Sequence, residues 1–468
     1  MARELQPPQL LRGMKDILPV DQPYWWWLFD TVRNIADCYG FDRIETPMLE
    51  ATSLFTRSIG EATDAVGKEM YSFIDKGGDN VSLRPEGTAS VVRAYIEHGM
   101  LNMPQPVKLW YFSPFFRHDR PQAGRYRQFW QFGFEVFGGQ QAILEAQLIL
   151  MARALYASVG IETTLQMNSI GDKATRTQYG KALQAYMKNK KSELSDEQKL
   201  TLQKNPLRLL DSKDPKVQEL LADAPQIIDS LDEASKKHFQ EVLSYLDELD
   251  IPFVLNPRLV RGLDYYNRTV FEFWAQDDEG GAMSLGGGGR YDSLVESLGG
   301  RPTPALGFAG GIERIILKLK EKQIPPRPAA APEVFLAQLG DPARRKMLKL
   351  FEQLRSQGVR VAECMTKDGI KQQLEIANKL GAHYTLIVGQ KEMMDDTALI
   401  RDMENGIQEV VPFDKVESEL KKRLDKNRAN GVVPVTGRVT PERLEKYHDD
   451  TPSEEEPSVP QDIDEDAA

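Results

Sequence analysis

Cysteine and histidine are scarce in this chain. Its 468 residues include two cysteines, Cys38 and Cys364, and five histidines. Two thiols are too few for a disulfide framework or a four-cysteine zinc site, and the histidines show no paired ligand spacing. We therefore expect no structural metal.

Long apolar runs are also missing. No run approaches the ~20 residues that a membrane-spanning helix needs, and the first residues lack the apolar segment of a secretory signal. We therefore expect no membrane segment and a cytoplasmic location. The sequence has neither a G-x-x-x-x-G-K-[ST] loop nor a G-x-G-x-x-G turn, so any nucleotide site must use another architecture.

Acidic charge is concentrated at the C-terminal end. The net charge is −11, but residues 449–468 hold nine Asp or Glu and no Lys or Arg, so residues 1–448 carry only −2. This balance argues against nonspecific coating of nucleic acid and leaves room for a local basic patch. We interpret the tail as a solvated, disordered segment.

The pattern along the chain predicts an α+β protein of several domains. Two ten-residue strands, 107–116 and 128–137, read as one long antiparallel hairpin. The chain turns polar and helical over about residues 173–250, which suggests an insertion. The expected division is a first domain over 1–325, a stiff proline-rich linker over 326–332, a small α/β domain over 333–425 and the acidic tail over 426–468.

The second strand of this hairpin has an unusual face. Since successive side chains of a strand alternate, Phe129, Gln131, Gly133 and Glu135 share one face, and the other face is apolar. A carboxylate in mid-sheet is costly to bury unless partners meet it. Either Glu135 pairs with a core arginine, or it reads a ligand in a recess left by Gly133.

Four arginines, Arg117, Arg120, Arg125 and Arg127, fall in the loop between these strands, which we call the arginine loop (residues 117–127). Such a cluster repels itself unless an anion binds, and guanidinium groups match phosphate oxygens well. A solvated loop is the alternative, and it is favoured for Arg120 and Arg127 taken singly.

Two predicted helix starts carry further candidates. Glu86 and Thr88, at the start of a helix expected near Pro85, are either first-turn residues or, for Glu86, a partner for a substrate ammonium. Apolar residues at helical spacing predict another helix from about Ile312. Arg314 then lies in its first turn, where a bound phosphate would reconcile the cation with the helix dipole. A surface arginine is the alternative.

The run Arg261 to Tyr266, RGLDYY, puts a guanidinium, a carboxylate and two phenols beside a glycine. A core strand could not satisfy so many directional hydrogen-bonding groups by itself. Together with the hairpin, this run, which we call the signature loop (residues 261–266), predicts one small-molecule pocket.

These segments carry a family resemblance. FRHDRPQAGRYRQFWQFGFEVFG resembles the second class-defining motif of class II aminoacyl-tRNA synthetases, in the form found in histidyl-tRNA synthetases. RGLDYYNRTVFEF and GGGGRYDSLV are similar to the signature peptides of the histidine enzymes, and GFDRIETPMLE and ALGFAGGIERIIL to the first and third class motifs. The resemblance covers about residues 5–425. Asp119 and Trp130 depart from it, since Glu and His are usual there.

The resemblance implies a class II synthetase-type antiparallel sheet flanked by helices, with a helical insertion and a C-terminal α/β domain of the anticodon-binding type. It also implies a homodimer that activates L-histidine with ATP, accompanied by Mg²⁺, and transfers it to the 3′ end of tRNA(His). It assigns no metal ligands and no anticodon contacts.

The resemblance further implies residue roles. Glu86, Thr88 and Gln131 would hold the histidine α-amino group, while Glu135, Tyr265 and Tyr266 would read the imidazole. ATP would be bound by Arg117, Arg125, Phe129 and Arg314, with Arg117 at the α-phosphate and Arg314 at the γ-phosphate. Arg261 would be the catalytic cation between the substrate carboxylate and the α-phosphate. Arg117 and Arg261 would both contact histidine and act in catalysis.

A second family relative shares this core. It is the non-catalytic regulatory partner of ATP phosphoribosyltransferase in histidine biosynthesis. The presence of Arg261, the intact arginine loop and a C-terminal α/β domain argue against that alternative.

Overall fold

The computed structural model describes residues 8–60, 63–276, 282–326 and 331–429. The chain forms two compact units, Met1–Pro326 and Arg327–Ala468. Most of the expected linker and the acidic tail lie outside the described residues. In the part of the chain that the structure describes, no helix is long and apolar enough to cross a membrane.

The first unit is built on strands and helices in mixed order. Its strands are β1 (Asp42–Arg43), β2 (Leu49–Ala51), β3 (Ser72–Ile74), β4 (Asn80–Leu83), β5 (Val107–Phe116), β6 (Gln128–Phe137), β7 (Thr164–Ser169), β8 (Phe253–Leu255), β9 (Asn267–Gln276), β10 (Ala282–Arg290) and β11 (Ala305–Gly311). Its helices are α1 (Gln22–Cys38), α2 (Thr52–Ile59), α3 (Asp64–Gly67), α4 (Thr88–Glu97), α5 (Ile143–Ser158), α6 (Lys173–Tyr186), α7 (Asp196–Lys204), α8 (Pro215–Leu220), α9 (Glu233–Glu248), α10 (Leu294–Ser297) and α11 (Ile312–Glu321).

A large sheet organises this unit. Within the described residues its order is β1-β5-β6-β11-β10-β9-β7-β8, and a smaller sheet has the order β2-β4-β3. Neighbouring strands in the run β5-β6-β11-β10-β9-β7 are all antiparallel. At the two edges of the sheet, β1 is parallel to β5 and β8 is parallel to β7. The predicted hairpin is confirmed, with β5 and β6 paired from Val107 opposite Phe137 to Phe116 opposite Gln128.

The apolar face of the large sheet is covered by helices. Phe132 and Phe134 of β6 and Phe308 of β11 are buried in one cluster with residues of α1, α5 and α11. Burial of such side chains stabilises each by roughly 1.5–3 kcal/mol. The opposite face of the central strands is therefore left to form a site.

The polar segment after β7 is helical. It contains α6 to α9 and short 3-10 turns, among them Pro206–Asp211. Several of its helices begin at capping residues: the side chain of Asp172 accepts a hydrogen bond from Thr175 N, and Ser195 forms a capping box with Gln198. This segment, which we call the insertion, spans residues 173–250.

The second unit is a small α/β domain. Its strands are β12 (Val334–Gln338), β13 (Val361–Glu363), β14 (Tyr384–Val388), β15 (Thr397–Asp402) and β16 (Gln408–Pro412). Its helices are α12 (Asp341–Ser356), α13 (Ile370–Leu380), α14 (Gln390–Met394) and α15 (Val416–Ala429). The strand order among the described residues is β13-β12-β14-β15-β16, with β12 parallel to both of its neighbours.

Candidate active site

Glu135 is the centre of a buried polar pocket on the face of the large sheet opposite Phe132, Phe134 and Phe308. Only 1% of its surface is exposed, and its carboxylate accepts hydrogen bonds from the hydroxyls of Thr88 (2.8 Å), Tyr111 (3.5 Å) and Tyr291. Burial raises the pKa of Glu135 to about 8. Its partners are neutral hydroxyls, so the alternative in which Glu135 pairs with a core arginine is wrong.

Three tyrosines pack together beside Glu135. The ring centroids of Tyr265 and Tyr266 lie 4.7 Å apart, and the ring of Tyr291 lies 5.5 Å from Tyr265 and 6.4 Å from Tyr266. Burial raises the pKa of each phenol, so each remains an O–H donor near neutral pH. The structure thus brings the two predicted tyrosines of the signature loop to Glu135.

Two residues of this pocket were missed by the sequence analysis, Tyr111 and Tyr291. Tyr111 lies directly opposite Gly133 in the hairpin, and a Cβ at position 133 would lie 2.2 Å from its ring. The recess that Gly133 leaves is therefore filled by this phenol. Tyr291 follows the run Gly286 to Gly289, and its place in the signature peptide GGGGRYDSLV was the available signal.

Glu86 caps a helix as well as lining the pocket. Its two carboxylate oxygens accept hydrogen bonds from the backbone N–H groups of Thr88 (2.7 Å) and Ala89 (2.8 Å), so α4 begins at Thr88, three residues after Pro85. The Tyr265 hydroxyl lies 3.4 Å from Glu86. Burial raises the pKa of Glu86. Each carboxylate oxygen can accept more than one hydrogen bond, so Glu86 keeps capacity for an ammonium group.

The arginine loop contributes one guanidinium to an aromatic ring of β6. Arg117 donates from Nε to the Pro85 carbonyl (2.8 Å), and its guanidinium lies 5.5 Å from the centre of the Phe129 ring. Arg125 pairs with Asp119 at 3.2 Å. Arg127 donates to the carbonyl of Arg12 (3.0 Å), and Arg120 is exposed. Exposure of Arg120 matches the solvated-loop alternative, whereas Arg127 is half-buried and bonded to Arg12 and Gly13.

Positive charges converge around Arg314. This side chain donates to the Ser284 carbonyl (2.7 Å). Burial lowers the pKa of Arg314, and the nearby guanidinium groups of Arg125, Arg117 and Arg261 lower it further, while the Glu272 carboxylate acts in the opposite direction. Guanidinium groups that disfavour one another's charge make a strong site for a polyanion.

Arg261 is tied to a carboxylate on β9. Its guanidinium forms an ion pair with Glu272. Burial by itself would lower the pKa of Arg261, but Glu272 raises it above its ordinary value. Gly287, opposite Glu272 on β10, makes room for the pair, because a Cβ there would lie 2.6 Å from Arg261 Nη1. Arg261 is therefore a fixed, permanent cation.

Gln131 lies at the open end of β6. It is half-buried and pairs with Ser113 on one side and Gly311 on the other. Of the predicted site residues, the structure groups Glu86, Thr88, Glu135, Tyr265 and Tyr266 around one pocket. Arg117, Arg125 and Arg261 lie near enough to Arg314 for their charges to lower its pKa, and with it they form a second group.

Known proteins match most of this chain. The model of the histidyl-tRNA synthetase family matches residues 13–315, and that of an anticodon binding domain matches residues 333–423. A histidine–tRNA ligase from Dehalococcoides mccartyi is 47% identical over 414 residues, which cover 88% of this chain and 99% of that protein.

Solved structures match as well. The apo crystal structure of S. aureus histidyl-tRNA synthetase has a TM-score of 0.75 and 36% identity, covering 89% of this chain and 100% of that one. A Bacillus halodurans structure described as an ATP phosphoribosyltransferase regulatory subunit/histidyl-tRNA synthetase has a TM-score of 0.57, covering 79% of this chain and 97% of that one. Its 19% identity shows a likeness of fold alone.

The architecture of the first unit is therefore that of the class II aminoacyl-tRNA synthetases, as the second and third motifs suggested. Within that class the family match and the identity over nearly the whole length of a curated relative are decisive. The chain belongs to the histidyl-tRNA synthetase family.

Proposed function

We propose that this chain activates L-histidine with ATP and transfers the histidyl group to the 3′ end of tRNA(His). In the first step the substrate carboxylate attacks the α-phosphorus of ATP, histidyl-adenylate forms and pyrophosphate leaves. The carboxylate is already ionised at neutral pH, so the step needs no general base. Positioning and charge neutralisation then supply the catalysis.

The observation that carries the proposal is the pocket around Glu135. A carboxyl group with three hydroxyl neighbours offers acceptors and donors that can adapt to the two nitrogens of an imidazole. Glu135 and Tyr266 would contact the ring, with Tyr265 beside them. An apolar isostere of histidine would leave these buried groups unpaired, which is a strong basis for rejection.

The α-ammonium and carboxylate groups of histidine, which are bonded to one carbon, would be bound by different residues. Glu86, Thr88 and Gln131 would hold the α-ammonium group. Arg261 would neutralise the substrate carboxylate and the α-phosphate together, and the Glu272 ion pair supports this role by holding the guanidinium in place.

ATP would occupy the converging arginines. Arg117 would contact the α-phosphate, Arg125 and Arg314 the outer phosphates, and the adenine would stack between Phe129 and Arg314. The lowered pKa of Arg314 supports this assignment, because an ATP polyanion would relieve the repulsion between the guanidinium groups.

Magnesium would enter with ATP as part of the substrate. Among the described residues, no group of three or more His, Cys, Asp or Glu side chains could hold a metal ion. Mg²⁺ typically takes one or two carboxylates together with substrate phosphates. The Glu272 carboxylate beside Arg261 is a group of that kind.

We further propose a catalytic domain over 1–325, with an anticodon-binding domain over 333–425 that contacts tRNA(His), in a cytoplasmic homodimer. The match of an anticodon binding domain to residues 333–423 supports the tRNA contact. The homodimer is supported by exposed apolar side chains on and beside the small sheet. These are Met48, Leu49, Phe73 and Ile74.

A charging assay tests the proposal. The purified chain is incubated with ATP, Mg²⁺, total tRNA and each of the twenty amino acids in turn. We expect charging with histidine alone, onto tRNA(His). Absence of charging, together with co-purification of a phosphoribosyltransferase, would favour the regulatory alternative instead.

A further inference from the structure

Asp264, in the middle of the signature loop, is held by the insertion. Its Oδ1 accepts hydrogen bonds from Asn205 Nδ2 (2.9 Å) and from Arg208 Nη2 (2.9 Å) and Nε (3.3 Å). Both partners lie 56 to 59 residues away in sequence, at the start of the Pro206–Asp211 turn. The Asp264 N–H donates to the carbonyl of Ile59 (3.2 Å).

A second residue of the insertion holds the backbone of the same loop. Arg176, on α6, donates from Nη1 to the carbonyl of Tyr266 and lies 3.4 Å from that of Asp264. Burial lowers the pKa of Arg176, yet the Asp264 carboxylate counters that effect. Arg208 therefore binds the side chain of Asp264, and Arg176 binds the backbone of the signature loop.

These bridges border a cavity of about 410 Å³ between the insertion and the signature loop. Arg176, Arg208, Arg261, Asp264 and Tyr266 all line it. The loop is also held by apolar packing, because Tyr265 and Tyr266 belong to a buried cluster that includes Leu209 and Leu210 of the insertion. On the side that borders the cavity, the polar bridges hold the loop.

The neighbours of Asp264 are the proposed substrate-binding groups. Tyr265 and Tyr266 follow it directly, and Arg261 precedes it by three residues. We propose that Asp264 is a positioning residue through which the insertion, by way of Arg208, sets the geometry of the histidine pocket. This inference rests on the proposed placement of histidine beside Tyr265 and Tyr266.

The inference predicts a selective effect. Four of the proposed ATP residues, Arg117, Arg125, Phe129 and Arg314, lie outside the signature loop, and β6 is joined to α11 by Glu313, which accepts hydrogen bonds from Trp130 N (2.9 and 3.0 Å). Arg261 of the loop would also contact the α-phosphate, but its guanidinium is held by the ion pair with Glu272 on β9 and not by Asp264. Loosening the signature loop should therefore weaken histidine binding and leave ATP binding nearly unchanged.

The test uses Asp264→Asn, Arg208→Ala and the double variant, in ATP–pyrophosphate exchange. Each single variant should raise the KM for histidine about tenfold, the usual effect of losing a charged hydrogen bond, with the KM for ATP changed less than about twofold. The KM for histidine of the double variant should not exceed the higher of the two single-variant values, because both changes remove the same interaction. Arg208→Lys, which keeps a cation, should recover part of the affinity.

The control is Asp196→Asn, which removes an exposed ion pair with Lys199 in the same insertion and should leave both KM values unchanged. Equal rises in both KM values, additive losses in the double variant, or an unchanged histidine KM would each overturn the inference. If the wild-type chain shows no histidine-dependent exchange, the proposed function fails and the inference falls with it. If the wild type is active and the variants match it, only the inference fails.

Discussion

Thr88 donates a 2.8 Å hydrogen bond from its hydroxyl to Oε1 of Glu135, and its backbone N–H donates to Glu86. Thr88, the first residue of α4, therefore joins two buried carboxyl groups: that of Glu135 on β6 and that of Glu86 just before the helix. The distance between the groups proposed to read the imidazole and the α-ammonium is fixed by this link. Predictions about the pocket follow from how tightly these groups are packed and how they ionise.

Stability should depend on pH through Glu135. Burial raises its pKa from about 4.5 to about 8, so between those values the ligand-free folded protein holds a proton that the unfolded chain lacks. The free energy of unfolding should therefore fall as pH rises through this window and level off above it. Glu135→Gln removes this dependence. In urea unfolding from pH 5 to 8, wild type should lose stability relative to the variant. A difference in the free energy of unfolding between wild type and Glu135→Gln that stays constant with pH would contradict the raised pKa of Glu135.

A methyl group at position 133 should disrupt the pocket. In Gly133→Ala the new Cβ would lie 2.2 Å from Cζ of Tyr111, so the phenol must move away from Glu135. We expect the KM for histidine to rise by about tenfold or more. Gly40→Ala is a stability control, since nothing lies within 4 Å of a Cβ there, although its positive φ adds local strain. A Gly133→Ala enzyme with wild-type histidine KM would refute this account of the packing.

Arg261→Ala should slow histidine-dependent ATP–pyrophosphate exchange by about 10²-fold or more, the usual effect of losing a group that stabilises developing charge. The fold should survive, because the side chain lies in the site and not in an apolar cluster. Glu272→Gln, which keeps Arg261 but loses its anchor, should have a smaller effect. Exchange near the wild-type rate in Arg261→Ala would remove the catalytic role.

Glu313 should be needed for tight binding of ATP. Both of its oxygens accept from the N–H of Trp130, next to Phe129, and Glu313 itself adjoins Arg314. Glu313→Ala leaves that N–H without its acceptor and should raise the KM for ATP about tenfold, with little change for histidine. In Glu313→Gln the amide oxygen still accepts, so most of the affinity should return. Equal defects in the two variants would speak against the hydrogen bond as the cause.

A buried charge network behind the pocket should dominate stability. Arg290 and Glu145 are both fully buried, with Arg290 Nε 2.9 Å from Glu145 Oε1, and His238 contacts the same carboxylate. Arg290→Met removes the guanidinium and leaves that buried carboxylate with His238 as its remaining partner among the described residues, which should cost about 3–5 kcal/mol in the free energy of unfolding. Adding Glu145→Leu should restore much of the lost stability, because an apolar pair at these two positions needs no ionic partner. Urea unfolding of both variants tests this, and a loss below about 1 kcal/mol in Arg290→Met would contradict it.

Local patterns in the sequence predicted local structure well. The alternation over residues 128–137 identified β6 and its buried face, and the spacing of isoleucines placed the start of α11. The start of the helix predicted near Pro85 lies three residues later, because the first N–H groups of α4 are capped by the Glu86 side chain, which precedes the helix.

Sequence patterns alone identified the family, the hairpin and the residue types available to a histidine and ATP site. Which of these residues meet depends on how distant segments pack. It put Tyr111 in the space beside Gly133, set Glu272 against Arg261, and brought Arg208 to Asp264. Periodicity reports which face of an element a side chain occupies. The partners of that side chain are set by the register between strands and by the packing of the insertion. Both of these depend on contacts between segments far apart in the chain.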